Sequence, residues 1–168
     1  MAPDRPVSEE LERLLVQADT IAVVGASSNP DRPSNGVFER LLAAGYRVIP
    51  VNPNETEVLG QKAYASLGDV PERIDIVDVF LRPEHTPAIA DEAARVGAKV
   101  LWLQLGISND EAARRAESQG LRVVMDNCLG VTLSILGIPA KRRRLRSEEL
   151  SRKGAEVGIL DHSAAGSQ

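Results

Sequence analysis

The chain has 168 residues and a formal net charge of −4 at pH 7, so it is long enough for one domain with a sizeable core and lacks the basic excess of many nucleic-acid-binding proteins. Its single cysteine, Cys128, excludes an internal disulfide and fits a reducing cytoplasm. No apolar run reaches the ~20 residues of a membrane span, and one cysteine with two distant histidines cannot form a metal site. We therefore expect a cytoplasmic protein with no nucleic-acid or membrane partner and no bound metal.

Predicted strands and helices alternate at steady intervals along the chain. Runs rich in β-branched residues predict five strands, at 20–24, 46–51, 74–80, 99–104 and 121–125. Apolar residues at helical spacing predict helices at 7–18, 35–44, 63–67, 84–96 and 110–118. This alternation predicts an α/β protein with a three-layer, Rossmann-like fold and a five-stranded parallel sheet. Right-handed crossovers favour the strand order 3-2-1-4-5, which places a ligand crevice between strands one and four.

The loop between strand one and the next helix is the first candidate binding site. Gly25 allows a sharp turn and the close approach of a ligand, and Ser34 is predicted as the N-cap of the following helix. The first turn of that helix favours an anion, such as the phosphate of a ligand. The loop lacks the G-x-G-x-x-G pattern, and strand two ends at Asn52 and Pro53 instead of an acidic residue. These departures disfavour NAD(P) without excluding it, and a β–α turn with no ligand is the other alternative.

Seven stretches, taken in their order and spacing, resemble the CoA-binding domain family, above all its single-domain members. They are IAVVGAS (21–27), DRPS (31–34), GYRVIPVNP (45–53), VLG (58–60), VP (70–71), DIVDVFLRP (75–83) and WLQLGI (102–107). The resemblance covers residues 8–138 and extends to the N-terminal domain of the α subunit of succinyl-CoA synthetase and of ADP-forming acyl-CoA ligases. It implies the same α/β fold, with coenzyme A or an acyl-CoA as the ligand.

The resemblance also implies which residues contact the coenzyme. In the family, the loop after the first strand holds the diphosphate and the end of the second strand lies near the adenosine. The segment after the third strand follows the adenine and the pantetheine arm, and the loop after the fourth strand forms the opposite wall. The fifth loop matches a Pro-Asn-Cys turn of the ligases. The implied contacts are Gly25, Ala26, Ser27, Ser28, Val51, Asn52, Pro53, Leu81, Arg82, Pro83, Gln104, Leu105, Gly106, Asn127 and Cys128.

Three further predictions concern the phosphates of the ligand. Arg32 and Arg82 carry guanidinium groups, which are suited to bidentate contacts with phosphate oxygens. Surface arginines without a ligand are the alternative for both. Ser34 lies at the start of the helix whose N-terminus is expected to receive an anion. Arg32 and Ser34 therefore join the predicted site.

No catalytic arrangement can be placed in the predicted crevice. His85 follows strand three and His162 lies near the C-terminus, whereas Asp75 and Asp78, within strand three, are expected to be solvated at the strand edge or to form a bond that caps the core. Without a nucleophile–base pair, we predict a stand-alone, non-catalytic module that binds CoA or an acyl-CoA. Two alternatives remain open. One is an NAD(P)-binding Rossmann protein, and the other is a split subunit of an ADP-forming acyl-CoA ligase, whose second domain has no room in this chain.

The C-terminal segment differs in composition from the preceding chain. Five of the six residues at 141–146 are basic, acidic residues follow at once, and the last eight residues are mostly small or polar. We therefore predict a Rossmann-like CoA-binding domain at 7–140 and a basic, then flexible tail at 141–168 that is dispensable for folding.

Overall fold

The computed structural model describes residues 5–141 as alternating helices and strands. The helices are α1 (Arg5–Gln17), α2 (Pro33–Ala43), α3 (Thr86–Arg95), α4 (Asp110–Ser118) and α5 (Leu129–Ile135). The strands are β1 (Thr20–Val24), β2 (Arg47–Val51), β3 (Glu57–Val58), β4 (Gln61–Lys62), β5 (Ile76–Val79), β6 (Val100–Leu103) and β7 (Arg122–Val124). Short 3₁₀ turns occur at Leu67–Asp69 and Pro83–His85.

Five of the strands, β1, β2, β5, β6 and β7, form one parallel sheet with helices on both faces. The predicted α/β fold with a five-stranded parallel sheet is confirmed, and the predicted strand ends lie within two residues of the observed ones. The observed order is β2-β1-β5-β6-β7, or 2-1-3-4-5 when the five strands are numbered along the chain. The predicted order 3-2-1-4-5 is wrong, because the third strand pairs with β1 and not with β2.

Pro50 explains why β2 lies at the edge of the sheet. Proline has no backbone N–H and is therefore confined to edge strands or irregular positions. The backbone N of Tyr64 donates to the carbonyl of Pro50 at 3.0 Å, on the side of β2 that faces away from β1. The missing N–H of Pro50 points to the same side, where the chain contributes an isolated bridge between Val51 and Tyr64. A third strand paired along β2 would have lacked that hydrogen bond.

The two faces of the sheet are packed by different kinds of side chain. On the face covered by α1, α2 and α5, large residues are fully buried, among them Phe38, Tyr46 and Trp102. The Tyr46 hydroxyl donates to the carbonyl of Leu15 at 2.7 Å, so its burial leaves no unsatisfied donor. On the opposite face, α3 and α4 pack through buried alanines, which allow a close approach of the helices.

Two helical predictions differ from the structure, and one helix was not predicted. Helix α2 begins at Pro33 with Arg32 as the N-cap residue, so the prediction that Ser34 is the N-cap is wrong. Proline fits the first helical position because its fixed φ is already helical and its missing N–H would have no intrahelical partner. Helix α5 was not predicted, since it spans 7 residues and has no polar side-chain cap. The predicted helix at 63–67 is replaced by the bridge at Tyr64 and the turn Leu67–Asp69.

The two aspartates of the third predicted strand have different environments. One carboxylate oxygen of Asp75 accepts from the backbone N of Asp19 at 2.9 Å and of Thr20 at 3.1 Å, which confirms its capping role. Asp78 is fully buried in β5, and within the described structure neither of its carboxylate oxygens has a hydrogen-bond partner. The expectation of a solvated or capping Asp78 is therefore wrong. Burial raises the pKa of the Asp78 carboxyl well above its ordinary value.

Lys141 is the last described residue, and it packs against the end of α1. Its backbone N donates to the carbonyl of Ala44 at 2.8 Å, and its Nζ donates to the carbonyls of Val16 and Ala18. The ammonium also lies 4.9 Å from the ring centroid of Tyr46. We propose that the domain extends to Lys141. The predicted basic and flexible tail beyond it lies outside the described residues and stays a prediction.

Candidate functional site

A cleft of about 560 Å³ lies at the carboxyl ends of the parallel strands. Its walls come from the loops that follow the five strands of the main sheet and from the start of α2. The lining residues are Gly25, Ser27, Arg32, Pro33, Ser34, Val37, Asn52, Phe80, Gln104, Leu105, Ile107 and Cys128. The strand order reverses between β1 and β5, which corrects the predicted position between strands one and four. Gly25 after β1 and Phe80 after β5 both line the cleft, so the cleft lies at this reversal.

The loop after β1 is held in place by two asparagine side chains. Nδ2 of Asn52 donates to the carbonyl of Ala26 at 2.8 Å, and Nδ2 of Asn35 donates to the carbonyl of Ser27 at 3.0 Å. The N–H of Gly25 donates to the carbonyl of Val51 at 2.9 Å. These bonds fix the loop and occupy two of its carbonyl oxygens. Asn35 is 7% exposed, and its part in this loop was not predicted.

The electrostatics of the near wall favour an anion. Pro33, Ser34 and Val37 place the first turns of α2 along the cleft. The N-terminus of this 11-residue helix carries the partial positive charge of the helix dipole. Among the described residues that line the cleft, Arg32 alone carries a formal charge, and it is cationic. A phosphate bound here would meet a positive helix end and a guanidinium.

The far wall is mostly apolar and is fixed by one buried amide. Gln104 is 4% exposed, and its Oε1 accepts from the backbone N of Leu129 at 3.0 Å, which holds the start of α5. Beside it, Leu105 is 71% exposed at the rim, while Phe80 and Ile107 are half-buried. The cleft therefore combines a polar, cationic side with an apolar side.

The predicted site residues divide into two groups. Those in the lining are Gly25, Ser27, Arg32, Ser34, Asn52, Gln104, Leu105 and Cys128. Those in the same loops but outside the lining are Ala26, Ser28, Val51, Pro53, Leu81, Arg82, Pro83, Gly106 and Asn127. The lining residues that sequence reasoning missed are Pro33, Val37, Phe80 and Ile107. Three of these are chain neighbours of predicted residues, and the fourth lies one helical turn after Ser34.

Several predicted residues outside the lining have structural roles. Ala26 and Val51 are buried in the core. The carbonyl of Pro83 accepts from Nδ2 of Asn109 at 3.0 Å, and the carbonyl of Asn127 accepts from Nε1 of Trp102 at 2.8 Å. Their backbones thus support the loops around the cleft, whereas Ser28 donates hydrogen bonds to the carboxylate of Glu55.

A second, larger groove of about 780 Å³ lies at the opposite end of the sheet. It is lined by Lys99 and Leu121, which immediately precede β6 and β7, and by residues of α1. An ion pair of 3.1 Å between Arg122 and Glu10 lies in its lining. Ligands of open parallel sheets bind at the carboxyl ends of the strands, so the smaller cleft is the better candidate.

The chemistry available in the cleft is limited. Its lining within residues 5–141 includes the thiol of Cys128 but no histidine, lysine or carboxylate, and His85 is exposed outside it. No group of histidine, cysteine and acidic residues in the described part could hold a metal ion. In the same part, no helix combines the length and apolarity needed to cross a membrane.

Sequence and structure comparisons agree on the relatives of this chain. It is 42% identical over 130 residues to the Uncharacterized protein YneT of Bacillus subtilis (strain 168), covering 77% of this chain and 96% of that protein. The structure of a hypothetical protein from Pyrococcus horikoshii OT3 matches with a TM-score of 0.75 and 40% identity, over 77% of this chain and 91% of that one. The Acetate--CoA ligase [ADP-forming] II subunit alpha of Pyrococcus furiosus is 30% identical over 122 residues.

The match to the ligase is partial. It covers 66% of this chain but 27% of the ligase subunit, so the chain spans about a quarter of that subunit's length. The profile described as "CoA binding domain" matches residues 19–134, from the start of β1 into α5. The matched region includes every residue that lines the cleft. The chain therefore belongs to the CoA-binding domain family.

Proposed function

We propose that this chain binds coenzyme A, or an acyl-CoA, as a stand-alone module without catalytic activity of its own. The observation that carries the proposal is the charge of the cleft: among the described lining residues Arg32 alone is charged, and this cation adjoins the N-terminus of α2. Membership of the CoA-binding domain family supports the same ligand. The protein would use these groups to hold the diphosphate.

The rest of the lining suits the remainder of the coenzyme. CoA joins a charged nucleotide to a long arm that is less polar, and the cleft opposes its cationic side with Phe80, Leu105 and Ile107. Its volume of about 560 Å³ lies within the usual range for small-molecule sites, roughly 300–1,000 Å³. Burial of the arm against these side chains would add affinity through the hydrophobic effect.

NAD(P) is the weaker alternative for this cleft. Dinucleotide-binding proteins use an acidic residue near the end of the second strand to bind the ribose diol. Here Asn52 follows β2, and its Nδ2 is bonded to the carbonyl of Ala26. The next acidic residue along the chain, Glu55, accepts hydrogen bonds from Ser28. Neither side chain is available for the diol without breaking a contact seen here.

Replacing Arg32 by alanine tests the proposed phosphate contact. We expect Arg32→Ala to weaken CoA binding about ten- to a hundredfold, because a charge-assisted hydrogen bond contributes about 1.5–3 kcal/mol. Arg95→Ala removes the same charge from an exposed site at the end of α3, outside the lining and outside the predicted site, and serves as the matched control. Calorimetric titration with CoA and with NAD measures both effects.

The outcomes of this titration are distinct. Equal losses in Arg32→Ala and Arg95→Ala would indicate a general effect of charge and would overturn the local phosphate contact of Arg32. Unchanged CoA affinity in folded Arg32→Ala would show that the phosphate does not bind at this wall of the cleft. A wild-type protein that binds NAD but not CoA would overturn the proposed function.

A split subunit of an ADP-forming acyl-CoA ligase is the second candidate, favoured by the partial match to ligase subunits. Because the lining that residues 5–141 provide includes one thiol and no base, we expect no turnover by the chain alone. The assay combines the protein with acetyl-CoA, ADP and phosphate and follows the release of CoA and ATP. Release above the buffer rate that disappears in Cys128→Ala would show intrinsic catalysis and contradict the expectation.

A further inference from the structure

An acidic side chain already occupies donors of the loop after β1. Oε2 of Glu55 accepts from the backbone N of Ser28 at 2.8 Å, and Oε1 accepts from the Ser28 hydroxyl at 2.9 Å. The hydroxyl also lies 3.1 Å from Oε2. The bond from the backbone N–H is the largest cause of the lowered pKa of the Glu55 carboxyl, followed by the hydroxyl bond. We refer to this arrangement as the Glu55–Ser28 contact.

The Glu55–Ser28 contact lies beside the cleft. Ser27 precedes Ser28 and lines the cleft, and Asn52, three residues before Glu55, lines it as well. The two loops are joined by the bond from Asn52 to the carbonyl of Ala26. The carboxylate therefore adds a negative charge next to the wall that is proposed to receive a diphosphate.

The backbone around Glu55 is anchored, while its side chain is partly exposed to solvent. The N–H of Glu55 donates to the carbonyl of Asn52 at 3.2 Å, and the N–H of Asn54 donates to Oδ1 of Asn52 at 2.9 Å. Releasing Ser28 therefore requires rotation of the Glu55 side chain and no movement of the turn. Rotations of such side chains are fast.

We propose that Glu55 is an internal competitor of the anionic ligand: its carboxylate binds the N–H and hydroxyl of Ser28 in the empty protein and leaves when the diphosphate arrives. An N–H and an O–H that converge on one carboxylate form a site for any anionic oxygen. A carboxylate that stayed in place would repel the phosphate. This inference rests on the proposed CoA function and specifies how its site is regulated.

Removing the carboxylate tests the competition. We expect Glu55→Ala to bind CoA about three- to tenfold more tightly than the wild type, since the substitution removes a negative charge that repels the phosphate. Glu55→Gln, which keeps an acceptor oxygen without the charge, is expected to lie between the two. Glu57→Ala removes the same charge from an exposed residue of β3 and is expected to stay within about twofold of the wild type, because an exposed charge outside the Glu55–Ser28 contact is screened.

Calorimetric titrations with CoA and with inorganic pyrophosphate separate the possible results. Tighter binding in Glu55→Ala, with Glu57→Ala unchanged, supports the competition. Equal or weaker CoA binding in Glu55→Ala overturns it and indicates that Glu55 positions the loop, while CoA binding by the wild type leaves the proposed function intact. Equal gains in Glu55→Ala and Glu57→Ala overturn a local role. If neither the wild type nor any variant binds CoA, the proposed function fails. The pyrophosphate titration tests the competition separately: an affinity for pyrophosphate that is the same in Glu55→Ala and in the wild type overturns it.

Discussion

A valine at position 25 is expected to destabilise the protein and to abolish ligand binding at the cleft. Gly25 has a φ of +85°, which side chains branched at Cβ adopt only with strain. A Cβ at this position would lie 2.8 Å from the carbonyl oxygen of Phe80 and 3.2 Å from Cδ2 of Leu81. The backbone strain and the overlap together predict a loss of about 2–5 kcal/mol of unfolding free energy.

Thermal unfolding measures the first effect of Gly25→Val. At this chain length, about 2–5 kcal/mol corresponds to a decrease in Tm of roughly 5–20 °C. Gly36→Ala is the matched control, because Gly36 lies within α2, has no positive φ and would place its Cβ in open space. The control is expected to be neutral or slightly stabilising, as alanine is favoured over glycine in helices. A Tm for Gly25→Val equal to that of the wild type would show that the loop rearranges.

Calorimetric titration with CoA measures the second effect, at a temperature where circular dichroism shows both variants to be folded. Gly25 lines the cleft, so a side chain there would narrow the space proposed for the diphosphate. Gly36→Ala is expected to bind CoA like the wild type. Wild-type affinity in folded Gly25→Val would place the ligand elsewhere.

Replacing Asp78 by valine is expected to stabilise the protein. The Asp78 side chain is fully buried, and both oxygens are unpartnered within the described structure. Its register neighbours on β1 and β6 are Val23 and Trp102, which are also fully buried. A buried polar group without a partner costs about 1–3 kcal/mol, and a β-branched apolar residue suits a central strand. Tm is therefore expected to rise by roughly 2–10 °C.

The contribution of Asp78 to the free energy of unfolding is also expected to depend on pH. Burial raises the pKa of this carboxyl in the folded state above its ordinary value of 3.8, so the folded protein retains a proton that the unfolded chain releases. Above about pH 4, unfolding is then coupled to proton release, and the free energy of unfolding falls by about 1.4 kcal/mol per pH unit. The fall ends where the folded carboxyl itself ionises. Below pH 3.8 this contribution is constant.

Urea denaturation of three proteins between pH 4 and pH 8 tests both statements about Asp78. Asp78→Asn keeps an unpartnered polar group but cannot ionise, so the wild type is expected to lose stability relative to it as pH rises. Asp78→Val is expected to be the most stable of the three at every pH. Parallel pH profiles for the wild type and Asp78→Asn would mean that the carboxyl has an ordinary pKa or an ionic partner.

The strands and most helices follow from short stretches of sequence. A run such as 20–24 is apolar over 5 residues, and a strand buried on both faces needs little more than that. Gly45 was predicted to end α2 and has a φ of +91°, a conformation that glycine adopts without strain. The loop at Gly25 was predicted to favour an anion from a similar local signal, a glycine between a strand and a helix. Each signal depends on neighbours within a few residues.

The strand order needed information from distant parts of the chain. Crossover handedness is the same for the orders 3-2-1-4-5 and 2-1-3-4-5, so it could not choose between them. Pro50 was a local signal that β2 is an edge strand, and it was not used. Once β5 pairs with β1, Phe80 rather than a residue of the fourth loop lies beside Gly25. The lining of the cleft changes accordingly.

Local pattern alone determined the positions of the five strands, the parallel α/β class and the anion-favouring loop, because hydrophobic periodicity and turn-forming residues act over a few positions. Tertiary structure decided which residues line the cleft, that Asp78 is buried and that Glu55 contacts Ser28. Ser28 and Glu55 are 27 residues apart, and Gln104 and Leu129 are 25 apart, so no local signal links either pair. Pairing of β1 with β2 and β5, and of β6 with β5 and β7, brings these loops to one edge of the sheet, where short-range polar contacts can form.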